Sequence, residues 1–475
     1  MSARRGATRE PSRREFVRGC AALGMAAFAS GLERFAKLEA MAQAAAPADY
    51  KALVGIFLFG GNDGNNTIVP LDTAGYNAYA AVRASAGLAL DQASLLPITP
   101  PGIGRPFGLH PSLADLQGLW AQQKLAVVGN VGPLVQPLTR PQYQGGIGRP
   151  YQLFSHSDQQ VTWQTSRPDT RSPTGWGGRV ADAVVDLNGS AFFPLVTSVS
   201  GNPIFCLGAS TRPLGIAPAP TPLNQVLLLN GFNSTPESTA RRNAMDALRG
   251  MDRDLVLVDA TSAATQQGLD IGQVLSSDPA LATVFPATTL GNQLKQVAKL
   301  IALNQTAPAL GLSRQMFFCS LGGFDTHQRQ PATQASLLAE LSQAVKAFYD
   351  ATVELGLASR VTTFTLSDFG RTLQPAGSGT SVGSDHAWGN HHFVTGGAVM
   401  GGEFYGVPGP NGTVFPTLQL AGPDDTDNRG RWIPTASVDQ YAATLALWFG
   451  VAPADLPIVF PLLGRFAAPS LGFMA

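Results

Sequence analysis

From Lys51 the chain reads KALVGIFLFGGNDGNN, an apolar run without alternation that stops abruptly at Gly, Asn and Asp. That pattern predicts a strand buried on both faces of a parallel sheet. KLAVVGNVG (124–132), RQMFFCSLGGFDTH (314–327) and RVTTFTLSDFG (360–370) repeat it. Between these runs apolar residues recur at helical spacing, as Leu113, Leu116, Leu119 and Trp120 do in PSLADLQGLWAQQ. ESTARRNAMDALRGMDRDLVLVDATSAATQQGLDIGQVLSS reads as mostly helical, and GNQLKQVAKLIALN (291–304) as an amphipathic helix. In PATQASLLAELSQAVKAFYDATVELG, Leu337, Leu341, Val345 and Phe348 share one face and Gly356 marks the stop. SVDQYAATLALWFGV predicts a helix with Ser437 as N-cap and Gln440 completing a capping box. Strands alternating with helices predict an α/β fold with a mainly parallel sheet. With no internal repeat or linker, residues 46–475 read as one domain.

In such sheets ligands collect beyond the carboxyl ends of the strands. Asp63, Asp325 with His327, and Asp368 each follow a different predicted strand. The glycine-rich stretch from Asp368 to Gly397 adds Asp385, His386, His391 and His392, three of the six histidines in the chain. Its segment QPAGSGTSVGS reads as a flexible connection that lets Asp385, His386 and His391 fold back over Asp368. Neighbours on an extended segment point in opposite directions, so His392 supports the others or faces solvent. His156 lies in FSHSDQQ, and His110, in GLHPSL, reads as a structural hydrogen-bonding residue. Imidazole and carboxylate suit divalent metals, and two ions about 3.5–4 Å apart require about six to eight ligands. Asp63, Asp325, His327, Asp368, Asp385, His386 and His391 are the candidate ligands for one or two divalent ions: zinc, magnesium or calcium.

Composition narrows the partners. With 32 basic and 32 acidic residues the net charge is zero, which argues against nucleic acid. A chain of 475 residues that is 44% hydrophobic can bury a large core, and its 52 glycines and 35 prolines imply much ordered loop. SRREFVRGCAALGMAAFASGL pairs Arg13 with Arg14 ahead of a modest apolar run and an Ala-rich exit. This resembles a twin-arginine export signal over residues 1–45, removed near Ala44, and implies the twin-arginine export machinery as a partner. The mature protein is then periplasmic or secreted, and no other segment is apolar for the roughly twenty residues of a membrane span. Cys206 and Cys319 remain in it, to pair once or to stay as buried thiols.

GGNDGNNTIVP, GGFDTH, SDFGRT and GSDHAWGNHHFVTGGAVMGG follow in this order behind the signal. Together they resemble the secreted family called domain of unknown function 1501, grouped with the alkaline phosphatase and sulfatase superfamily. The resemblance implies a three-layer α/β/α sandwich with a metal site at the strand ends. Asp63 and Asp368 resemble its metal-binding Asp residues, and Asp325 with His327 resembles the pair for the other ion. Phe369 stands where a metal-binding His or Asn is common, so Asp385 with His386, or His391, would supply what is missing. The superfamily nucleophile is a Ser, Thr or modified Cys at a helix start. Ser155 fits, since SHSDQQVTW can begin a helix whose N–H groups favour an anion; a plain N-cap role fits equally.

Other templates are absent: no Cys-x-Pro-x-Arg, His-Glu-x-x-His or Walker pattern occurs. Arg371 can hold a phosphate or sulfate or, as is commoner, pair with a carboxylate. The expectation is an exported, metal-binding, hydrolase-like protein acting on phosphate or sulfate esters of a small molecule or an envelope polymer. The alternative is a degenerate-site binding protein of the cell envelope without catalysis, and a third reading is a hydrogen-bonded scaffold without metal.

Overall fold

Lys51–Leu58 is strand β1, and its side chains alternate between two apolar layers as a doubly covered strand requires. Val54, Ile56 and Leu58 enter one layer; Leu53 and Phe57 enter the other. The computed structural model describes residues 49–227, 235–275, 277–306 and 310–475. The expected export signal over residues 1–45 lies outside the described residues.

Ile68–Pro70 (β2), Leu96–Ile98 (β3) and Phe107–Leu109 (β4) form a small antiparallel sheet in the order β2-β4-β3. Leu125–Gly132 (β5), Val196–Ser198 (β6), Leu214–Gly215 (β7), Arg314–Leu321 (β8) and Val361–Ser367 (β9) join the main sheet. Arg371–Ala376 (β10) and Gly383–His386 (β11) make a separate hairpin. Asn390–Gly396 (β12), Phe404–Tyr405 (β13) and Ala436–Ser437 (β14) return to the main sheet, whose order is β13-β5-β12-β9-β1-β8-β6-β7 with β14 beside β5. All its pairings are parallel except those of β12 with β9 and β5.

The helices Ala114–Ala121, Thr289–Thr306 and Gln330–Glu354 share one layer, where Leu116, Leu294, Ile301, Leu341 and Phe348 pack with Val54 and Ile56. His156–Thr165, Trp176–Val184 and Val438–Phe449 share the other, where Trp163, Trp176 and Tyr441 pack with Leu53 and Phe57. Burying each large side chain contributes about 1.5–3 kcal/mol. The chain is thus mixed α/β around a large, mostly parallel sheet. Ser437 caps its helix through the capping box with Gln440, and the helix Gln330–Glu354 ends before Gly356 at φ +69. Cys206 and Cys319 are both free, buried thiols. Among the described residues, no helix is long and apolar enough to cross a membrane.

One local expectation fails. The stretch from Asp368 to Gly397 is not a single flexible loop but the hairpin β10–β11 followed by the buried strand β12. His391 and His392 belong to β12 and lie on its opposite sides. His391 stacks on Phe415, in one layer, and His392 packs between Trp163 and Tyr441, in the other, so His392 does not face solvent. Polarity suggested a loop, but a neutral imidazole with an apolar ring face is readily buried in a strand.

Candidate metal centre

β1 lies between β8 and β9 with Leu58 in register with Leu321 and Ser367, so three loops leave the sheet side by side. They carry Asp63, Asp325 and Asp368. The approach is close: a Cβ on Gly60, at φ +111, would lie 2.3 Å from the Asp325 backbone nitrogen. Arg371, wholly buried at the start of β10, ties the loops together. It donates to the carbonyls of Gly60 (2.6 Å), Gly61 (3.0 Å) and Phe324 (3.0 Å), and to Asp325 Oδ1 at 2.6 Å. Arg371 therefore takes the carboxylate-pairing role of the two the sequence allowed.

Around Asp325 Oδ1 three imidazoles converge by their Nε2 atoms: His327 at 3.2 Å, His156 at 3.3 Å and His386 at 3.5 Å. His327 Nε2 and His386 Nε2 are 2.8 Å apart. Each ring is oriented from behind through Nδ1. His156 faces Asp368 Oδ2 at 2.7 Å, His327 faces Asp385 Oδ1 at 3.0 Å, and His386 faces the Phe154 carbonyl at 2.7 Å. A carbonyl or carboxylate oxygen only accepts, so each Nδ1 carries the proton and each Nε2 presents a lone pair. In the neutral rings three Nε2 lone pairs thus turn toward Asp325 Oδ1, which also accepts from Arg371. His156 Nε2 is buried without a hydrogen-bond partner.

The arrangement fits a cation in two ways. Ligand atoms from His156, Asp325 and His386 lie within 4.8 Å of one another, and His327 joins them through Asp325 and His386. The close pairs of 2.8–3.5 Å resemble the edge of about 3.3 Å that bonds of about 2.0 Å give a tetrahedral site. The backing acceptors are the groups that fix tautomer and aim in histidine metal sites. The centre also opens outward, since the Asp325 and His327 side chains are 48% and 42% exposed.

The charges behave accordingly. Burial disfavours ionised Asp325, but the hydrogen bond and charge of Arg371 outweigh it and hold the carboxyl below its ordinary value. The hydrogen bond His156 donates to Asp368 raises its pKa against the cost of burial, whereas burial lowers His386.

Of the other candidate ligands, Asp368 and Asp385 stand behind the histidines. Asp368 is fully buried and also accepts from Gln160 Nε2 (2.9 Å) and the Gly60 N–H (3.2 Å); Asp385 pairs with Arg429 at 2.5 Å. Asp63 is not gathered in. It pairs with Arg83 at 2.6 Å, accepts from Gln330, and caps the turn at Asn65. His391 is held in β12, its Nδ1 accepting from the Asn130 N–H at 3.2 Å, and burial lowers its pKa to about 4. Phe369 packs against His156 and His386. His110 accepts from the Ser112 N–H, the structural role expected of it. Ser155 does begin a helix, as N-cap of His156–Thr165.

His156 is the candidate ligand the sequence reading passed over. Its signal was positional: it is the first residue of the helix whose start was already singled out for Ser155.

A search of curated proteins gives no match. Among solved structures, the C-terminal periplasmic domain of EcEptC from Escherichia coli, in complex with Zn, is 9% identical over 75% of each chain, with a TM-score of 0.29. Ps i-CgsB in complex with k-i-k-neocarrahexaose is 9% identical over 85% of this chain and 72% of that one, at 0.31. Ps i-CgsB alone is 9% identical over 88% and 77%, at 0.33. At those scores the likenesses bear on neither the fold nor the activity of this chain. Residues 307–414, the span that holds Asp325, His327, Asp368, Asp385, His386 and His391, match the family model described as Protein of unknown function (DUF1501).

Proposed function

We propose that this chain is an exported metal-dependent hydrolase of phosphate or sulfate esters, built on an alkaline phosphatase-like α/β/α sandwich. It holds one divalent ion through His156, Asp325, His327 and His386. The observation that carries the reading is the convergence of three Nε2 atoms on Asp325 Oδ1, each ring fixed through Nδ1 by an acceptor. Three imidazoles favour zinc over magnesium or calcium, which prefer oxygen ligands. Asp63, already neutralised by Arg83, argues for one ion rather than two.

Bound there, the ion would supply Lewis acidity toward an ester oxygen and an attacking hydroxyl. The protein's part is to aim the three rings through Asp368, Asp385 and the Phe154 carbonyl, and to keep Asp325 charged through Arg371. The half-exposed Asp325 and His327 leave the centre open to a small-molecule or envelope-polymer ester, as hydrolytic metal sites require and closed structural sites do not. Ser155, next to His156, is the nucleophile of this reading. Localisation in the periplasm or outside the cell follows from the twin-arginine pattern at Arg13 and Arg14.

The test is metal analysis after zinc reconstitution, with a panel of phosphate and sulfate esters assayed on the same material. About one zinc per chain and zinc-dependent turnover are expected; less than about 0.1 zinc per chain would sink the reading. A second reading, a binding protein of the cell envelope without catalysis, is favoured by one observation: the carboxylate that resembled a first-metal ligand, Asp63, is closed off by Arg83. It takes over if zinc binds and no ester turns over.

A further inference from the structure

We infer that Asp158 is the proton acceptor of Ser155, making the first turn of the helix His156–Thr165 a nucleophile-base pair for phosphoryl esters; this rests on the hydrolase reading above. An N-cap serine ordinarily accepts a hydrogen bond from an N–H of the first turn. Ser155 occupies the N-cap but makes no such bond. Its hydroxyl instead donates to Asp158 Oδ2 at 2.6 Å, which gives the proton a destination, with Ser157 Oγ a longer neighbour at 3.3 Å.

The backbone on either side reaches the metal centre. The Phe154 carbonyl, bonded to the Ser155 nitrogen, accepts from His386 Nδ1 at 2.7 Å, and His156 brings Nε2 to 3.3 Å from Asp325. Phe154 holds the left-handed region at φ +71, an unfavourable conformation for a bulky residue and one that concentrates where geometry is imposed for function. Gln159 fastens the same turn, donating to the carbonyls of Tyr151 and Gln152 at 3.2 Å each.

In the step assigned, Ser155 Oγ attacks phosphorus: the Oγ–P bond forms and the bond from phosphorus to the leaving alcohol oxygen breaks, its electron pair staying on that oxygen. The serine proton passes to Asp158, and the leaving oxygen takes a proton from solvent. Water then cleaves the Oγ–P bond, releasing phosphate, restoring the serine hydroxyl and letting Asp158 return its proton to solvent.

The experiment uses the zinc-reconstituted chain, p-nitrophenyl phosphate, an acid quench, and peptide mass spectrometry for phosphoserine at position 155. Wild type should accumulate phosphoserine. Asp158→Asn should slow its formation about a hundredfold, and Asp158→Glu should restore part of the rate. Ser155→Ala is the blank. No phosphoserine in wild type carrying a full zinc complement, or an unchanged rate in Asp158→Asn, overturns the pair while leaving the metal centre standing. Phosphoserine formed by a chain that takes up no zinc would uphold the pair and sink the metal-dependent reading instead.

Discussion

Asp63 and Asp325 follow neighbouring, in-register strands, yet they have opposite surroundings. Asp63 is fully buried and met by a guanidinium, with Arg83 donating to both of its oxygens and Gln330 and Asn65 completing the shell. Asp325 is half exposed, and beside Arg371 it faces three imidazoles that offer lone pairs rather than protons. Both carboxylates meet a guanidinium, but Asp63 is closed off by Arg83, Gln330 and Asn65, whereas Asp325 beside Arg371 stays open to three imidazoles and to solvent. A carboxylate past a strand end is thus no sufficient sign of a ligand. What separates the two is how completely hydrogen donors close the carboxylate off.

That contrast breaks most sharply at the ligands. Asp325→Ala or His156→Ala should abolish stoichiometric zinc, taking occupancy from about one per chain to near zero by elemental analysis. Asp63→Ala, tested as a zinc ligand, should leave occupancy unchanged where the chain still folds, and Asp63→Asn serves if it does not. The stability order is reversed. Arg83→Met strands a buried charge on Asp63 and should cost about 3–5 kcal/mol in urea unfolding. Asp325→Asn, half exposed, should change the stability of the metal-free chain by about 1 kcal/mol or less.

An intermediate effect is expected one layer out. Asp368→Asn keeps the shape but weakens the acceptor that fixes the His156 tautomer, and should lower zinc affinity about 10–100-fold in a competition titration. An unchanged affinity would mean that His156 is aimed by packing against Phe369 alone.

The legible part of the molecule was the part written in periodicity. The apolar runs at Lys51, Leu125, Arg314 and Val361 became the central strands because burial on both faces leaves no polar alternation to misread. The carboxylates at their ends were legible for the same reason, as was the pairing of Asp325 with His327. Which residues meet across the chain was not. His156 reaches Asp368 across 212 positions, and Arg83 reaches Asp63 through a helix that carries no ligand signal of its own. His391 and His392 were misleading because a histidine count cannot separate a ring held in a strand from one aimed at a metal. Their dipeptide lies within β12, whereas His386 ends the hairpin before it.

A further effect separates those two kinds of histidine by pH. Unfolded, each imidazole takes up a proton near pH 6.5. Folded, burial holds His391 down to about 4 and His392 to about 3. Between about pH 6.5 and those values the unfolded chain binds more protons, so stability falls as pH falls, by about 1.4 kcal/mol per pH unit for each. Above about pH 6.5 their contribution is complete and flat. His392→Gln should flatten the acid limb of unfolding free energy against pH without altering zinc stoichiometry at pH 7.5.

Zinc K-edge X-ray absorption on the reconstituted wild-type chain tests the centre most directly. The account calls for about one zinc per chain in a shell of three imidazole nitrogens and one carboxylate oxygen at about 2.0–2.1 Å, with imidazole scattering reduced in His156→Ala. A shell of oxygens without imidazole scattering, or one untouched by His156→Ala, would contradict it.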